Sequence, residues 1–142
     1  MKKIFIRFIL SILIAVLIFL IIKFVIFKKY DFENINYNEY TQIKNDKDFN
    51  IIYITGDDYY IESFEQTLLK ISNDKKIIIK KLDITDIDNI SNITSDEEFK
   101  NYFDDSFIFP NLIILKNGKI IGNITYSSEE DILNKLESLG IE

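Results

Sequence analysis

An apolar run at the N-terminus constrains every fold that this chain can adopt. From Ile4 to Phe27 the sequence is apolar except for Arg7, Ser11 and Lys23. The run corresponds to about 20 helical residues, which is the length needed to cross a hydrocarbon core roughly 30 Å thick. It has no polar face, so a helix buried in a soluble core would not explain it. The sequence therefore predicts a transmembrane helix as an N-terminal anchor over residues 1–29.

A cleaved signal peptide is the competing interpretation of the same run. Signal peptides have a shorter apolar core and end in small residues at the cleavage site. Residues 24–30 read Phe-Val-Ile-Phe-Lys-Lys-Tyr and offer no such site, and the chain has no cysteine for lipid attachment. We therefore predict a retained signal-anchor that crosses the cell membrane once. Basic residues flank the span evenly, but a short basic N-terminus usually stays in the cytoplasm, so we expect the domain on the extracytoplasmic side.

Charge is divided sharply between the anchor and the remainder. The chain has 17 basic and 23 acidic residues, and no acidic residue precedes Asp31. Residues 31–142 consequently carry a net charge of −12. An acidic domain is repelled by phosphate backbones and by anionic lipid surfaces. Nucleic-acid binding is not expected.

Two residue types that carry much of enzyme chemistry are missing altogether. The sequence contains no cysteine and no histidine. Thiol redox chemistry, cysteine nucleophiles, Ser-His triads, thiolate zinc sites and haem ligated by histidine or cysteine are therefore excluded for this chain. We expect neither a metal nor another cofactor, and no enzymatic activity.

The residues after the anchor predict one small α/β domain over residues 40–142, joined to the anchor by a polar juxtamembrane linker at 30–39. A short β-prone run at Tyr40–Ile43 leads to a turn or a single helical turn at 45–49. The continuous apolar run Asn50–Thr55 is typical of a central strand covered on both faces. Two further strands are predicted at 75–82 and 112–115, and residues 83–94 are predicted to form a loop.

Helical periodicity and turn chemistry supply the remaining elements. Apolar residues recur at helical spacing between Ile61 and Ile71, and Asp57 and Asp58 stand where a helix cap is expected. Short and C-terminal helices are predicted to begin at Ser95 and Ser127. Asn117-Gly118 predicts a hairpin turn with positive φ at both positions, returning through a strand at 119–126, and Gly140 is expected at the C′ position of the last helix.

This order of elements, with the only proline immediately before a hairpin strand, resembles the thioredoxin fold. Residues 109–119, Phe-Pro-Asn-Leu-Ile-Ile-Leu-Lys-Asn-Gly-Lys, are similar to the family's cis-proline, apolar strand, Asn-Gly turn and return strand. Ile51–Thr55 resembles the central strand, 75–83 the next parallel strand and 127–139 the C-terminal helix. The resemblance covers residues 40–140 and implies a mixed sheet flanked by helices.

The family's Cys-x-x-Cys position falls on Asp58-Tyr59-Tyr60-Ile61 in this sequence. A carboxylate at the first position cannot exchange disulfides, so the resemblance implies a redox-inactive member. The chain also resembles small membrane-anchored thioredoxin-like proteins of low-GC Gram-positive bacteria, some of which accompany bacteriocin production.

Five residues are candidates for a peptide-binding edge. Asp58 could instead serve only as a helix cap, which requires no function. Tyr59 and Tyr60 could instead be ordinary packing residues. In the family, the residue before the cis-proline offers its backbone to an extended peptide, a mode that needs no thiol. That assigns Phe109, although Pro110 could serve only to shape the turn into the hairpin. The predicted edge comprises Asp58, Tyr59, Tyr60, Phe109 and Pro110.

Three hypotheses about function remain open at the level of sequence. The first is a membrane-tethered, redox-inactive thioredoxin-like module that binds a protein or peptide partner. The second is a structural or assembly component of a membrane complex, in which the loop at 57–60 plays no binding role. The third is an enzyme that relies on carboxylates and tyrosines alone.

Overall fold

The computed structural model describes residues 2–26, 29–56, 60–85, 87–103 and 108–141. The N-terminal helix α1 spans Lys2–Ile26. Its described large apolar side chains, between Leu10 and Ile21, are 48–65% exposed. Within the described part of the chain, no helix satisfies both the length and the apolarity that a membrane crossing requires.

The remaining elements form one mixed five-stranded sheet with helices on both faces. Its strands, in chain order, are β1 (Glu33–Ile35), β2 (Asn50–Thr55), β3 (Ile79–Asp83), β4 (Asn111–Lys116) and β5 (Lys119–Thr125). Their order across the sheet is β1-β3-β2-β4-β5. Strands β1, β3 and β2 run parallel, and β4 and β5 are antiparallel to their neighbours. The expected mixed sheet is confirmed.

Five helices flank the sheet in the part of the chain that the structure describes. They are α2 (Tyr37–Ile43), α3 (Ile61–Lys75), α4 (Ile87–Ile93), α5 (Glu97–Phe103) and α6 (Glu129–Ser138). Every residue of β2 is buried. This fits a central strand, because successive side chains alternate between the two faces of the sheet and helices cover both faces. Ile52 and Ile54 lie in the core beneath α2, α4 and α5, whereas Ile51 and Tyr53 lie in the core beneath α3 and α6.

Three predictions about the connecting segments were wrong. The run at 40–43 lies in helix α2, not in a strand, because Asn36 caps that helix in a capping box with Glu39. The segment predicted to be a linker contributes β1, which pairs Glu33 with Lys80. The predicted loop at 83–94 contains α4, and Asn89 there accepts a hydrogen bond from the Tyr37 N–H and donates one to the Asp83 carbonyl.

Three helix starts lie later than predicted. Helix α3 has its N-cap at Tyr60, beyond both Asp57 and Asp58. Helix α5 follows Asp96, whose carboxylate accepts the Phe99 N–H, so Asp96 rather than Ser95 occupies the capping position. Helix α6 is capped by Ser128. At the starts of α5 and α6 the sequence offers two adjacent polar residues, and periodicity alone does not show which of the two is the cap.

The hairpin prediction is confirmed in detail. Asn117 and Gly118 have φ values of 51° and 74°, as a type I′ turn requires. Gly140 also has a positive φ, as expected for the residue after a helix. The peptide bond between Phe109 and Pro110 is cis.

Candidate functional site

Strand register brings the predicted site residues to one end of the sheet, which we call the site end. There Thr55 at the end of β2 pairs with Asp83 at the end of β3. Asn111 at the start of β4 lies opposite Ile54 on one side and Thr125 on the other. The residues that follow Thr55, Asp83 and Thr125, and those that precede Asn111, therefore begin or end at this same end of the sheet.

Tyr60 stands out at the site end because its ring is exposed yet packed against a second tyrosine. Tyr60 and Tyr126 are 53% and 48% exposed. Their ring centroids lie 5.1 Å apart at an interplanar angle of 33°. Tyr126 also lies 5.9 Å from the ring of Phe64, which is fully buried. The exposed aromatic pair therefore packs against the hydrophobic core through Tyr126.

The segment before β4 forms another part of the site end. Ile108 is 64% exposed, Phe109 is half-buried and Pro110 is buried. The ring of Phe109 packs toward Gly56, where an added Cβ atom would lie 3.9 Å from the ring. The Asn111 side-chain amide donates to the Ile108 carbonyl oxygen at 3.3 Å and so holds the segment to the sheet.

Two buried polar side chains lie beneath this surface. Tyr53 donates its hydroxyl proton to Thr55 Oγ1 at 3.2 Å, and burial raises the pKa of the tyrosine. The Oδ1 atom of Asn111 is buried and has no hydrogen-bond partner among the described residues. Neither arrangement provides a base, because the pKa shift favours the neutral tyrosine and an amide does not titrate.

The structure places some of the predicted residues together and leaves others unassigned. Tyr60, Phe109 and Pro110 all lie at the site end, and their role in binding stays a prediction. Asp58 and Tyr59 lie outside the described residues, so their predicted contribution stays a prediction. Tyr126 was missed because the sequence marked it only as the end of a return strand. The hairpin was the available signal, since it returns β5 to the end of the sheet where β4 begins.

The described chemistry of the site end is limited to aromatic, amide, hydroxyl and carboxylate groups. Asp83 accepts hydrogen bonds from the Thr85 N–H and hydroxyl, at 2.9 and 2.7 Å. Its carboxylate is therefore engaged in a local turn. Across the described ranges, no group of three or more potential metal ligands lies together. The arrangement suits contact with a partner's side chains better than proton transfer.

A cavity of about 340 Å³ lies elsewhere, between α2 and the outer strands. Hydrogen bonds from the Asp48 N–H and the Asn50 side chain lower the pKa of Asp46 in its wall. The cavity is lined by Glu33, Ile35, Glu39, Gln42, Ile43, Asp46 and Lys80. It is open and shares no lining residue with the site end, and we assign it no catalytic role.

Comparison in sequence gives no relative for this chain. No protein-family model matches it, and no curated protein matches it either.

Comparison with solved structures gives a consistent answer about the fold. A thioredoxin from Trypanosoma brucei brucei is similar over 82% of this chain and 96% of its own, with a TM-score of 0.62 and 14% identity. Thioredoxin f2 from Chlamydomonas reinhardtii is similar over 78% and 98%, with a TM-score of 0.60 and 9% identity. A mutant thioredoxin from Halobacterium salinarum NRC-1 is similar over 79% and 92%, with a TM-score of 0.56 and 14% identity. Together with the sheet order and the position of Pro110, these likenesses give the chain a thioredoxin-like fold without a cysteine.

Proposed function

We propose that this protein is a membrane-tethered, redox-inactive thioredoxin-like module that binds a protein or peptide partner at its site end. The observation that carries the proposal is the exposed tyrosine pair at the site end, Tyr60 and Tyr126, in which Tyr126 also contacts the buried ring of Phe64. Tyrosine gives a large contact area at a low cost in side-chain entropy, which suits it to recognition.

The segment before β4 supports the same proposal. Ile108 presents an exposed apolar side chain beside Phe109, at the start of a strand. An extended peptide that pairs with this segment would gain main-chain hydrogen bonds, and its side chains would reach the neighbouring aromatic rings. Such binding needs no covalent chemistry, and this chain has no thiol with which to perform any. Asp58 and Tyr59 would complete the edge from the adjoining loop.

The tether is the second part of the proposal. The apolar run from Ile4 to Phe27 supports it, as do the exposed apolar side chains of α1. We place the domain on the extracytoplasmic side of a cell membrane, as in the anchored thioredoxin-like proteins of Gram-positive bacteria that the sequence resembles. A chain that remains in the membrane fraction after alkaline carbonate extraction would support the tether, and a chain released by carbonate would contradict it.

Site-specific photo-crosslinking tests the binding part. Benzoylphenylalanine is introduced in place of Tyr60 or Tyr126 in the full chain in native membranes. Tyr102 is the matched control, because it is another partly exposed tyrosine, at 38%, on helix α5 beneath the opposite face of the sheet. We expect a discrete adduct from the first two positions and none from Tyr102.

A second variant separates partner binding from a structural role. Scrambling residues 57–60 together with Tyr126→Ala should abolish both the adduct, read from a probe at Phe109, and the rescue of a deletion strain. If the scrambled chain still rescues and no position at the site end gives an adduct, the protein is instead an assembly component in which this surface has no binding role.

A further inference from the structure

The end of the sheet opposite the site end holds most of the lysines of the domain. It comprises three segments, 44–50, 73–81 and 115–119, which we call the lysine edge. These segments hold eight of the 11 basic residues that follow residue 30, all of them lysines, and only three of the 23 acidic ones. Everything else after residue 30 carries a strong negative charge. The domain is therefore electrically polarised from one end of its strands to the other.

Strand register and side-chain contacts bring the three segments together. Ile51 at the start of β2 pairs with Ile79 at the start of β3, and the neighbouring Asn50 pairs with Leu115 near the end of β4. Lys80 donates to the Asn50 side chain at 2.6 Å. The ammonium of Lys116 lies 4.2 Å from the centre of the Phe49 ring.

The lysine edge combines free charge with exposed apolar groups. Lys47, Lys76, Lys116 and Lys119 are exposed. Ile78, two residues after Lys76, is 53% exposed, and Phe49, two residues after Lys47, is 36% exposed. Acidic residues outside the segments lie close to the other four lysines: Glu33 is opposite Lys80 in register, and Glu137, Asp96 and Glu65 bridge Lys75, Lys44 and Lys81. The positive charge that the edge presents to solvent therefore comes from the four exposed lysines. Lysines interspersed with apolar side chains are suited to an anionic lipid surface, where the cations meet headgroups and the apolar groups enter the boundary.

The chain leaves α1 and arrives at this same edge. Tyr30 donates its N–H to Asn73 Oδ1 at 2.9 Å and accepts from Asn73 Nδ2 at 2.8 Å. The ammonium of Lys76 lies 5.7 Å from the centre of the Tyr30 ring. Helix α1 ends at Ile26, so Tyr30 is only four positions further along the chain. Such a stretch spans at most about 14 Å, which keeps the edge within reach of whatever holds α1.

We propose that the lysine edge rests on an anionic phospholipid surface and orients the domain with its site end pointing away from the bilayer. This inference rests on the tether in the proposed function but not on partner binding. The acidic remainder of the domain favours the same orientation, because it is repelled by the surface that attracts the lysines. Nucleic acid, the other polyanion that a basic patch could bind, lacks a hydrocarbon boundary for Ile78 and Phe49.

Vesicle experiments with the full chain test the contact. Because the chain has no cysteine, Asp74→Cys and Glu130→Cys each provide one labelling site, at the lysine edge and at the opposite end, and each removes one acidic residue. Each variant is labelled with an environment-sensitive nitrobenzoxadiazole dye. It is then reconstituted in phosphatidylcholine, or in an equal mixture with phosphatidylglycerol, each with a headgroup nitroxide quencher. We expect quenching and a blue shift at position 74 in the mixed vesicles only, and neither at position 130.

A matched pair of lysine variants shows whether the edge itself is responsible. Lys76→Gln, Lys116→Gln and Lys119→Gln together remove three charges from the edge, and Lys70→Gln, Lys100→Gln and Lys135→Gln remove three from elsewhere. Each lysine at an anionic surface favours contact about fivefold, so the edge variant should reduce the contacting population up to about a hundredfold. The control variant should leave the signal at position 74 unchanged or raise it.

The outcomes that overturn the inference differ from those that overturn the proposed function. A chain that does not sediment with either vesicle would refute the tether and the contact together. A chain that sediments but shows equal signals at positions 74 and 130 would refute the contact alone. Equal losses from the two lysine variants would also refute it. Single-stranded RNA binding that is lost in the edge variant, without a vesicle response, would assign the edge to nucleic acid.

Discussion

The β4–β5 turn packs so closely on helix α2 that one methyl group should have a large effect. Gly118 has a φ of 74°, and an added Cβ would overlap the carbonyl oxygen of Lys44. That oxygen cannot move aside easily. The Lys44 N–H donates to the Tyr40 carbonyl oxygen at 3.1 Å, and the Lys44 ammonium binds Asp96 at 2.7 Å. Gly118→Ala must therefore displace the turn itself.

Two contributions set the magnitude. A left-handed backbone costs an alanine about 1–2 kcal/mol relative to glycine. Displacing a packed hairpin to relieve an overlap costs about 1–3 kcal/mol more, by analogy with overpacked cores. We expect Gly118→Ala to lower the free energy of unfolding by about 3 kcal/mol, a large part of the roughly 5–15 kcal/mol typical of a domain.

Gly140 and Gly122 separate the two contributions. Gly140 has a φ of 83° but nothing within 4 Å of an added Cβ, so Gly140→Ala should cost only the backbone strain, about 1 kcal/mol. At Gly122 the Cβ would lie 2.7 Å from Leu139 Cδ1, the end of a flexible side chain that can turn away. Gly122→Ala should therefore also cost less than Gly118→Ala.

The measurement is urea unfolding of the full chain in mild detergent, followed by near-ultraviolet circular dichroism of the buried tyrosines. That signal reports the domain and not α1, which contains no tyrosine. If Gly118→Ala costs no more than Gly140→Ala, the close approach of the turn to α2 is wrong, and the reasoning with it.

Three further predictions use buried polar groups and the same unfolding assay. Asp96→Asn removes the ion-pair partner of the largely buried Lys44 and should lower the free energy of unfolding by about 2–3 kcal/mol. Glu129→Gln breaks an exposed bridge and should lower it by less than about 0.5 kcal/mol, so equal losses would contradict this difference. Tyr40→Phe should be neutral or stabilising, because the hydroxyl is buried without a partner in the described chain, whereas Tyr53→Phe loses a hydrogen bond and should cost about 1 kcal/mol; the reverse order would refute the assignment. Burial raises the pKa of both tyrosines above the ordinary 10.0, so the folded state favours their neutral forms, and stability should be fully retained below pH 10.0 and fall above it. A variant with Phe at both positions that loses stability equally steeply above pH 10.0 would contradict this cause.

The central strands and the hairpin were predictable because each depends on a local signal that the fold does not override. Continuous burial of Asn50–Thr55 follows from its apolar, β-branched composition. The turn at Asn117 needs a residue pair with positive φ, and few pairs other than Asn-Gly accept it. These two features, with the lone proline, were enough to indicate the fold without any sequence relative.

The outer elements were not predictable in the same way, because their stability comes from contacts distant in sequence. Strand β1 is three residues long and polar at two of them. It exists because β3 offers it a partner and because Phe32, just before it, packs 5.5 Å from the ring of Tyr53. Helix α4 depends on Asn89, which joins it to the start of α2 and the end of β3. Neither contact has a signature in a local window of sequence.

The site was predictable in part. Tyr60 and Phe109 followed from their positions beside the loops that the resemblance identified. Tyr126 became visible only when register showed where β5 ends, because its significance lies in a ring 66 positions earlier in the chain. The clustering of lysines at one end of the sheet was likewise not predictable, since their segments are scattered along the chain and only strand pairing brings them together.

The register of β1 also determines when this domain can become complete during synthesis. Glu33 pairs with Lys80, so the first strand to leave the ribosome must wait for the third before it has a neighbour. The central strand β2 gains its second neighbour only when β4 has emerged, from Asn111 onward. Until then one edge of β2 has unpaired N–H and C=O groups that other chains can pair with, and the nascent protein is at its most prone to aggregation. Translation speed between those two points should therefore influence the yield of folded protein more than speed anywhere earlier.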